Sequence, residues 1–519
     1  MITASPAWKD IQQRFILPEG FLEITCAITE EGVQDDVSAT ATNEAFFSNL
    51  ENAIETSVFT DGGKHATNEL NFWSLDGSFS IMPGSAPYDN GYVGDTDGQG
   101  SVTLTLPEVH TEPIPGVTIT WANEYGEYPR VFTVTAKNGS TVVAETTITD
   151  NNDVVSLVDL ELANYDSVTI TVWEWCLPYR RVRIDRAALG HILTLNKGDI
   201  LKYTHEQYGE LNSGELPKNS VTFSLDNIDG RWNPSNPVGM ERYLSERQKV
   251  TVRYGMDVNG TIEWIDAGVF YLSEWRAPSN GLEATFVARD VFEYLLNTPY
   301  IGRMSGTLRE FVDDAFEIAD IPPDVKLALS DHLAEYSTTI PDDIMDEYTC
   351  AEIVQMCANA ASCVIWQDRS GTLHIERLNS EDSGYLVPAA LAYSHPEVEL
   401  SKQLKSVSVS YGENLSYVLS VGAAGETQTV SNPLVSNEAQ AAEIAAWVRD
   451  TLESRRSVSG EYRADPRLDL FDVVTVESKY GVIAPVAITD IKYIYNGAFA
   501  GSYTGRVISK EGYLARSGN

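Results

Sequence analysis

Apolar and polar residues alternate with a period of two along most of the chain, in short runs broken by turn-forming residues. That period places successive side chains on opposite faces of an extended strand, so a β-rich protein is expected. Between about 92 and 186 the pattern predicts strands over 102–106, 117–121, 131–135, 142–148, 168–172 and 182–184. Lys137-Asn-Gly-Ser140 and Asp150-Asn-Asn-Asp153 supply turns between them. Short strands with regular turn signals are the signature of a β-sandwich. From 187 to 300 the alternation resumes at 220–225, 249–254, 268–272 and 282–288, which predicts a second sheet or barrel.

Helical periodicity enters after residue 300. Thr307 with Glu310, and Thr349 with Glu352, have capping-box spacing, in which the hydroxyl and the carboxylate satisfy free amides of the first helical turn. Leu308, Phe311, Val312, Ala315, Phe316 and Ala319 make one apolar stripe, and Cys350, Ile353, Val354, Cys357, Ala358 and Ala361 make another. A hairpin is predicted over 363–376 around Asp368-Arg-Ser-Gly371. The last block, 396–519, returns to strands with a helix at about 438–454, whose apolar side carries Ile444, Val448 and Leu452. Ser406-Val-Ser-Val-Ser-Tyr-Gly412 echoes Val250-Thr-Val-Arg-Tyr-Gly255, which hints that the two β blocks are related. Residues 1–91 combine an amphipathic start (Trp8, Ile11, Phe15), one strand at 21–29 and a polar stretch to about Asn68. The expected fold is mainly β with a small α+β part: a segment 1–91, a sandwich 92–186, a β-barrel-like block 187–300, a helix-hairpin domain 301–395 and a second barrel-like block 396–519.

Charge sharpens this picture. Among 519 residues, 75 Asp and Glu oppose 36 Lys and Arg, a net charge of −39. Residues 1–120 hold three bases (Lys9, Arg14, Lys64) against 18 acids. Nucleic-acid binding through a basic footprint is excluded, because phosphate contacts need clustered cations. Solubility alone is a sufficient reason for such a charge. Apolar residues at 43% rule out a disordered chain. Neither a signal peptide nor a run of about 18 apolar residues is found, so no membrane insertion is expected. The five cysteines, Cys26, Cys176, Cys350, Cys357 and Cys363, are odd in number and sit mostly in apolar context, as buried thiols do.

Candidate chemistry is sparse. The seven histidines are scattered singly, and the P-loop, dinucleotide-binding and nucleophile-elbow motifs are missing. No catalytic, cofactor or metal-binding residue is therefore assigned. Asp95-Thr-Asp-Gly-Gln-Gly100 opens like a calcium loop but has Leu106 where a twelfth-position acid is needed, so a turn is the better reading. Carboxylate pairs for glycoside hydrolysis are set by the fold and cannot be chosen among 75 acids. More specific are the aromatics of the sandwich. Trp121, Tyr125 and Tyr128 surround a loop, while Trp173 and Trp175, two apart on a strand, are expected on one face. Flat rings with neighbouring polar groups bind the C–H faces of sugars, so these five are the candidate glycan-binding residues; the competing role for each is core packing.

Several phrases resemble a known family. Asn71-Phe-Trp-Ser-Leu-Asp-Gly-Ser78, Val221-Thr-Phe-Ser-Leu-Asp-Asn-Ile-Asp-Gly-Arg-Trp-Asn-Pro-Ser-Asn-Pro237, Tyr243-Leu-Ser-Glu-Arg-Gln248, and Glu263-Trp-Ile together with Gly268-Val-Phe-Tyr-Leu-Ser-Glu-Trp275 resemble tail structural proteins of phages and prophages of Gram-positive bacteria. Arg463-Ala-Asp-Pro-Arg-Leu-Asp-Leu-Phe-Asp-Val-Val-Thr-Val476 and the helix-hairpin 349–377 are similar to the baseplate hub at the tip of such tails. The likeness covers most of the chain outside 92–186. It implies a homotrimeric hub located in the virion, with two barrel-like domains per subunit around the DNA exit channel, in contact with the distal tail protein and the tape-measure protein. DNA would pass through without specific binding. The 92–186 sandwich would be an insertion of the galactose-binding or jelly-roll type that contacts host glycan. No lytic extension follows the last strands, so no enzymatic activity is expected. The alternatives are a tail-borne glycoside hydrolase acting on cell-wall polysaccharide, and the same hub in a phage-derived bacteriocin or injection particle.

Overall fold

A computed structural model of the chain describes residues 1–14, 18–28, 37–41, 66–67, 86–87, 93–94, 101–111, 113–121, 125–176, 182–228, 230, 232–233, 244, 246–278, 281–340, 348–381, 383–412, 415–508 and 513–515. Phe15, the phrase 71–78 and the loop 95–100 lie outside them. Strands dominate and helices are few, so the protein is mainly β with a small helical part. Two units are formed: Met1–Ile24 with Leu195–Asn519, and Thr25–Thr194.

The unit Thr25–Thr194 is a sandwich of two antiparallel sheets. One has the order Val155–Leu162, Ile114–Trp121, Arg183–Leu189, Ala66–Thr67. The other runs Ser38–Ala41, Ser101–His110, Tyr165–Trp175, Pro129–Asn138, Thr141–Ile148. Alternate residues, among them Val102, Leu104, Val117, Ile119, Val134 and Ile170, are buried between the sheets. Each such side chain contributes about 1.5–3 kcal/mol by leaving water. Strand Val155–Leu162 has no counterpart among the sequence expectations. Its register shifts between Asp159 and Leu162, which breaks the period-two signal.

In the other unit one large sheet runs Lys249–Val258, Thr261–Arg276, Glu283–Arg289, Lys218–Asp226, Ile200–Tyr208, Gly481–Tyr495, Phe499–Val507, Arg456–Tyr462, Glu397–Leu400. The early and late β blocks meet where Ile200–Tyr208 pairs with the far half of Gly481–Tyr495, from Tyr203 opposite Tyr495 to Tyr208 opposite Asp490. The near half of that long strand pairs instead with Val473–Ser478. Residues 404–430 form a separate three-stranded sheet, Leu415–Ser420, Leu404–Tyr411, Glu426–Val430. Its Val407 and Val409 share a core with Ile444 and Val448 of the helix Glu438–Leu452. The two echoing segments at 250–255 and 406–412 thus occupy different sheets.

Both predicted capping boxes form. Thr307 starts Leu308–Ile318 and Thr349 starts Cys350–Ala360, with reciprocal bonds to Glu310 and Glu352. The stripes of the two helices enter one core with Cys350, Cys357 and Cys363. Burial pushes the Cys350 thiol up to about 11 and Cys363 to about 11, which keeps them unreactive.

The hairpin Val364–Gln367 and Leu373–Glu376 acquires a third, parallel strand, Leu327–Leu329. Its turn is made by Asp368, whose carboxylate accepts from the Ser370 and Thr372 amides, and by Gly371 at φ +85°. A Cβ at Gly371 would lie 3.1 Å from Val269, so the turn packs tightly on the large sheet. This geometry inserts Arg369, fully buried, among the sheet's aromatic residues. Its guanidinium donates to the Pro466 and Leu468 carbonyls and, at 3.3 Å, to the Tyr493 hydroxyl. The Asp469 carboxylate lies 3.4 Å away, and the rings of Tyr254 and Tyr493 lie 5.7 and 5.3 Å from the guanidinium carbon. A buried charge is tolerated only with such compensation. Beside it, neutral His205 donates from Nε2 to Asn219 Oδ1 and accepts at Nδ1 from Tyr254, which accepts from Tyr203. Burial, reinforced by Arg369, pushes His205 down to about 3.

Candidate functional site

The five aromatics singled out in the sequence divide between the core and the surface of the sandwich. Trp121 is fully buried, with its edge on Phe132 and Trp175 at ring-centre distances of 5.1 and 6.1 Å. Its indole N–H donates to Ser156 Oγ at 2.8 Å, and Ser156 donates to Asn151 Oδ1 at 3.0 Å. The Asn151 amide continues to the Pro129 carbonyl at 2.8 Å. The Asp150–Asp153 turn is thereby pinned to the core through Asn151.

Trp175 is also fully buried, and its N–H donates to Glu127 Oε2 at 3.0 Å. Glu127, itself 2% exposed, lies 3.8 Å from an Arg183 guanidinium nitrogen. The Arg183 guanidinium in turn sits 4.2 Å from the centre of the Tyr125 ring, a cation–π distance. Tyr125 is 48% exposed. Trp175, Glu127, Arg183 and Tyr125 therefore form a line from core to solvent. Trp121 and Trp175 present no ring face to solvent, because both are needed to fill the space between the sheets.

Tyr128 is half-buried, and its backbone exchanges contacts with Cys176: the Cys176 amide donates to the Tyr128 carbonyl at 3.0 Å, and the Tyr128 amide meets Sγ at 3.3 Å. Trp173 is half-buried and donates to Thr133 Oγ1 at 2.8 Å. Trp173 and Trp175 do not share a face as their spacing predicts. The pairing of Tyr165–Trp175 with Pro129–Asn138 shifts register after Val172, so the buried sequence Val168, Ile170, Val172 continues at Trp175 and not at residue 174. A β-bulge turns Trp175 inward and leaves Trp173 on the opposite side with Thr133.

Sequence reasoning missed Glu127 and Arg183. Each stands among other charges, Arg183 in Arg180-Arg-Val-Arg-Ile-Asp-Arg186 and Glu127 between Glu124 and Arg130, and their sequence separation hid the pairing. Among the described residues no group of three His, Cys, Asp or Glu side chains is placed to hold a metal ion.

No protein-family model matches the sequence, and neither does any curated protein. Among solved structures, the 43 kDa tail protein of prophage MuSo2 from Shewanella oneidensis is similar with a TM-score of 0.42 and 12% identity, over 62% of this chain and 95% of that one. Prophage tail protein gp18 from Listeria monocytogenes gives a TM-score of 0.40 and 10% identity, over 62% of this chain and 92% of that one. A family 32 carbohydrate-binding module of NanJ from C. perfringens, solved with galactose, gives a TM-score of 0.21 and 17% identity, over 33% of this chain and 99% of that one.

Proposed function

We propose that this chain is a structural protein of a phage-type tail tip: a trimeric hub that joins the distal tail and tape-measure proteins around a DNA exit channel, and whose sandwich unit binds host-surface glycan without catalysis. The observation that carries the hub reading is the contact between two segments that each resemble tail-tip proteins in sequence. Arg369, in the segment 349–377, is held by the Pro466 and Leu468 carbonyls in the segment 463–476. Segments that share a buried charge must be kept together, which favours one common origin for both likenesses over two coincidences. Strands Lys218–Asp226 and Thr261–Arg276, which carry further resembling phrases, belong to the same sheet as the late strands.

For the glycan role, Tyr125 supplies an exposed ring and Arg183 supplies guanidinium donors beside it. Sugars are bound by this combination of a flat apolar face and directional hydrogen bonds. Tyr128 and Trp173, partly exposed, remain in the proposed surface, while Trp121 and Trp175 support it from the core.

The test is binding of the purified chain to a glycan array and to bacterial cell walls, alongside cryo-EM of the particle. Tyr125→Ala is expected to weaken glycan binding about tenfold, the equivalent of about 1.4 kcal/mol. Unchanged binding, or none by the unaltered chain, overturns the glycan role. Three copies around the tail axis are expected, and any other copy number overturns the hub. Release of reducing sugar from the cell walls would instead support a hydrolase.

A further inference from the structure

A cavity of about 160 Å³ lies in the unit made of Met1–Ile24 and Leu195–Asn519, apart from the sandwich. It is lined chiefly by Trp8, Met256, Ala464, Pro466 and Phe499, with Tyr393 and Ala498 at the exposed end. Apolar cavities of about 150 Å³ accept a benzene-sized ring. The size of this one therefore sets the size of a ligand.

Its polar lining sets the chemistry. Gln12, 2% exposed, donates its amide to the Ala464 carbonyl at 2.9 Å. The Arg463 guanidinium is engaged by the Gln12 and Arg14 carbonyls at the end of the helix Pro6–Gln12. Trp8 differs: it is 0% exposed, and among the described residues its indole N–H has no acceptor. A buried donor without a partner costs about 1–3 kcal/mol, so an acceptor brought into the cavity recovers stability that no apolar occupant can.

We propose that this cavity binds a single aromatic ring carrying a hydrogen-bond acceptor oxygen, a ligand of the phenol class, with the Trp8 N–H as the donor to that oxygen. The ring fills the space between Met256 and Phe499. The oxygen distinguishes the ligand from a plain hydrocarbon. Two sources share this chemistry: a free phenolic molecule, and the side chain of a tyrosine presented by another polypeptide.

Calorimetry on the full chain with p-cresol and toluene tests the site. Cresol should bind about 3–10-fold more tightly than toluene, the increment of one hydrogen bond. Trp8→Phe, which removes the donor but keeps an aromatic ring at the position, should abolish that preference, bringing the ratio of cresol to toluene affinity to about one. Ala498→Leu, at an exposed position outside the core, should weaken both probes by narrowing the entrance, with an unaltered melting temperature. Tighter binding of N-acetyltyrosinamide than of cresol assigns the ring to a polypeptide, and the reverse order assigns it to a free phenol; either result sustains the site. Failure of both cresol and toluene to bind, meaning that the cavity holds water only, overturns the proposal. So does a preference for cresol that persists in Trp8→Phe.

Discussion

A fully buried arginine sits on a turn that the sequence announces only as a turn. Asp368-Arg-Ser-Gly371 has ordinary hairpin chemistry, and nothing local distinguishes Arg369 from a solvated arginine. Its burial is decided by the carbonyls of Pro466 and Leu468 and the Asp469 carboxylate, about a hundred residues further on. Arg369→Ala should destabilise the chain by about 3–5 kcal/mol in denaturant titration, because it strands a carboxylate and two carbonyls. Neighbouring His205 gives a pH signature. Its folded-state value of about 3 lies below the ordinary 6.5, so the unfolded chain binds the extra proton first. Stability from this residue is intact above pH 6.5 and is lost as pH falls toward 3, by at most about 1.4 kcal/mol per pH unit. His374 works in the opposite sense. Although burial opposes its charge, bonds to Asp368 and Glu376 raise its value overall, so its contribution is full at low pH and fades as pH rises through the raised value. His205→Gln should flatten the decline between pH 6.5 and 4, and thermal melts across that range measure it. The candidate glycan residues show the same limit of local reading. Tyr125 was legible as an aromatic in a loop, but the pairing of Glu127, in the same loop, with Arg183, at the start of strand Arg183–Leu189, is set only by the fold.

Whole elements were more legible than single residues wherever their signal was local. Both capping boxes, and the buried stripes behind them, follow from spacings of three and four residues, which a helix reads directly. Replacing Thr307 or Thr349 by Ala should each cost about 1 kcal/mol, additive within a few tenths, as measured by chemical unfolding. Most sandwich strands were legible from period two. Where a bulge intervenes, the period misleads: it hid strand Val155–Leu162 and assigned Trp173 and Trp175 to one face. Three-residue strands such as Leu327–Leu329 are too short to carry a pattern, and tertiary pairing alone makes them strands.

At the scale of the molecule, composition located the protein among folded, acidic chains, but no local feature predicts that strands near 200 and near 490 would pair. Such pairing is specified by complementarity between segments far apart in sequence, to which a window of a dozen residues is blind. Under the hub reading the net charge of −39 is tripled in the assembly. Acidic walls would repel phosphate and spare DNA the adhesion that basic walls would bring. The strand Gly481–Tyr495, bonded to Val473–Ser478 along one half and to Ile200–Tyr208 along the other, also bears on synthesis. A ribosome making the chain at about 5–20 residues per second releases strand 200–208 well before its partner exists. Through that interval its edge is open to any other extended chain, including a nascent sibling on the same message. The interval in which the protein is most exposed to misassembly is therefore written into the order of its strands, and it closes only when residues 490–495 emerge.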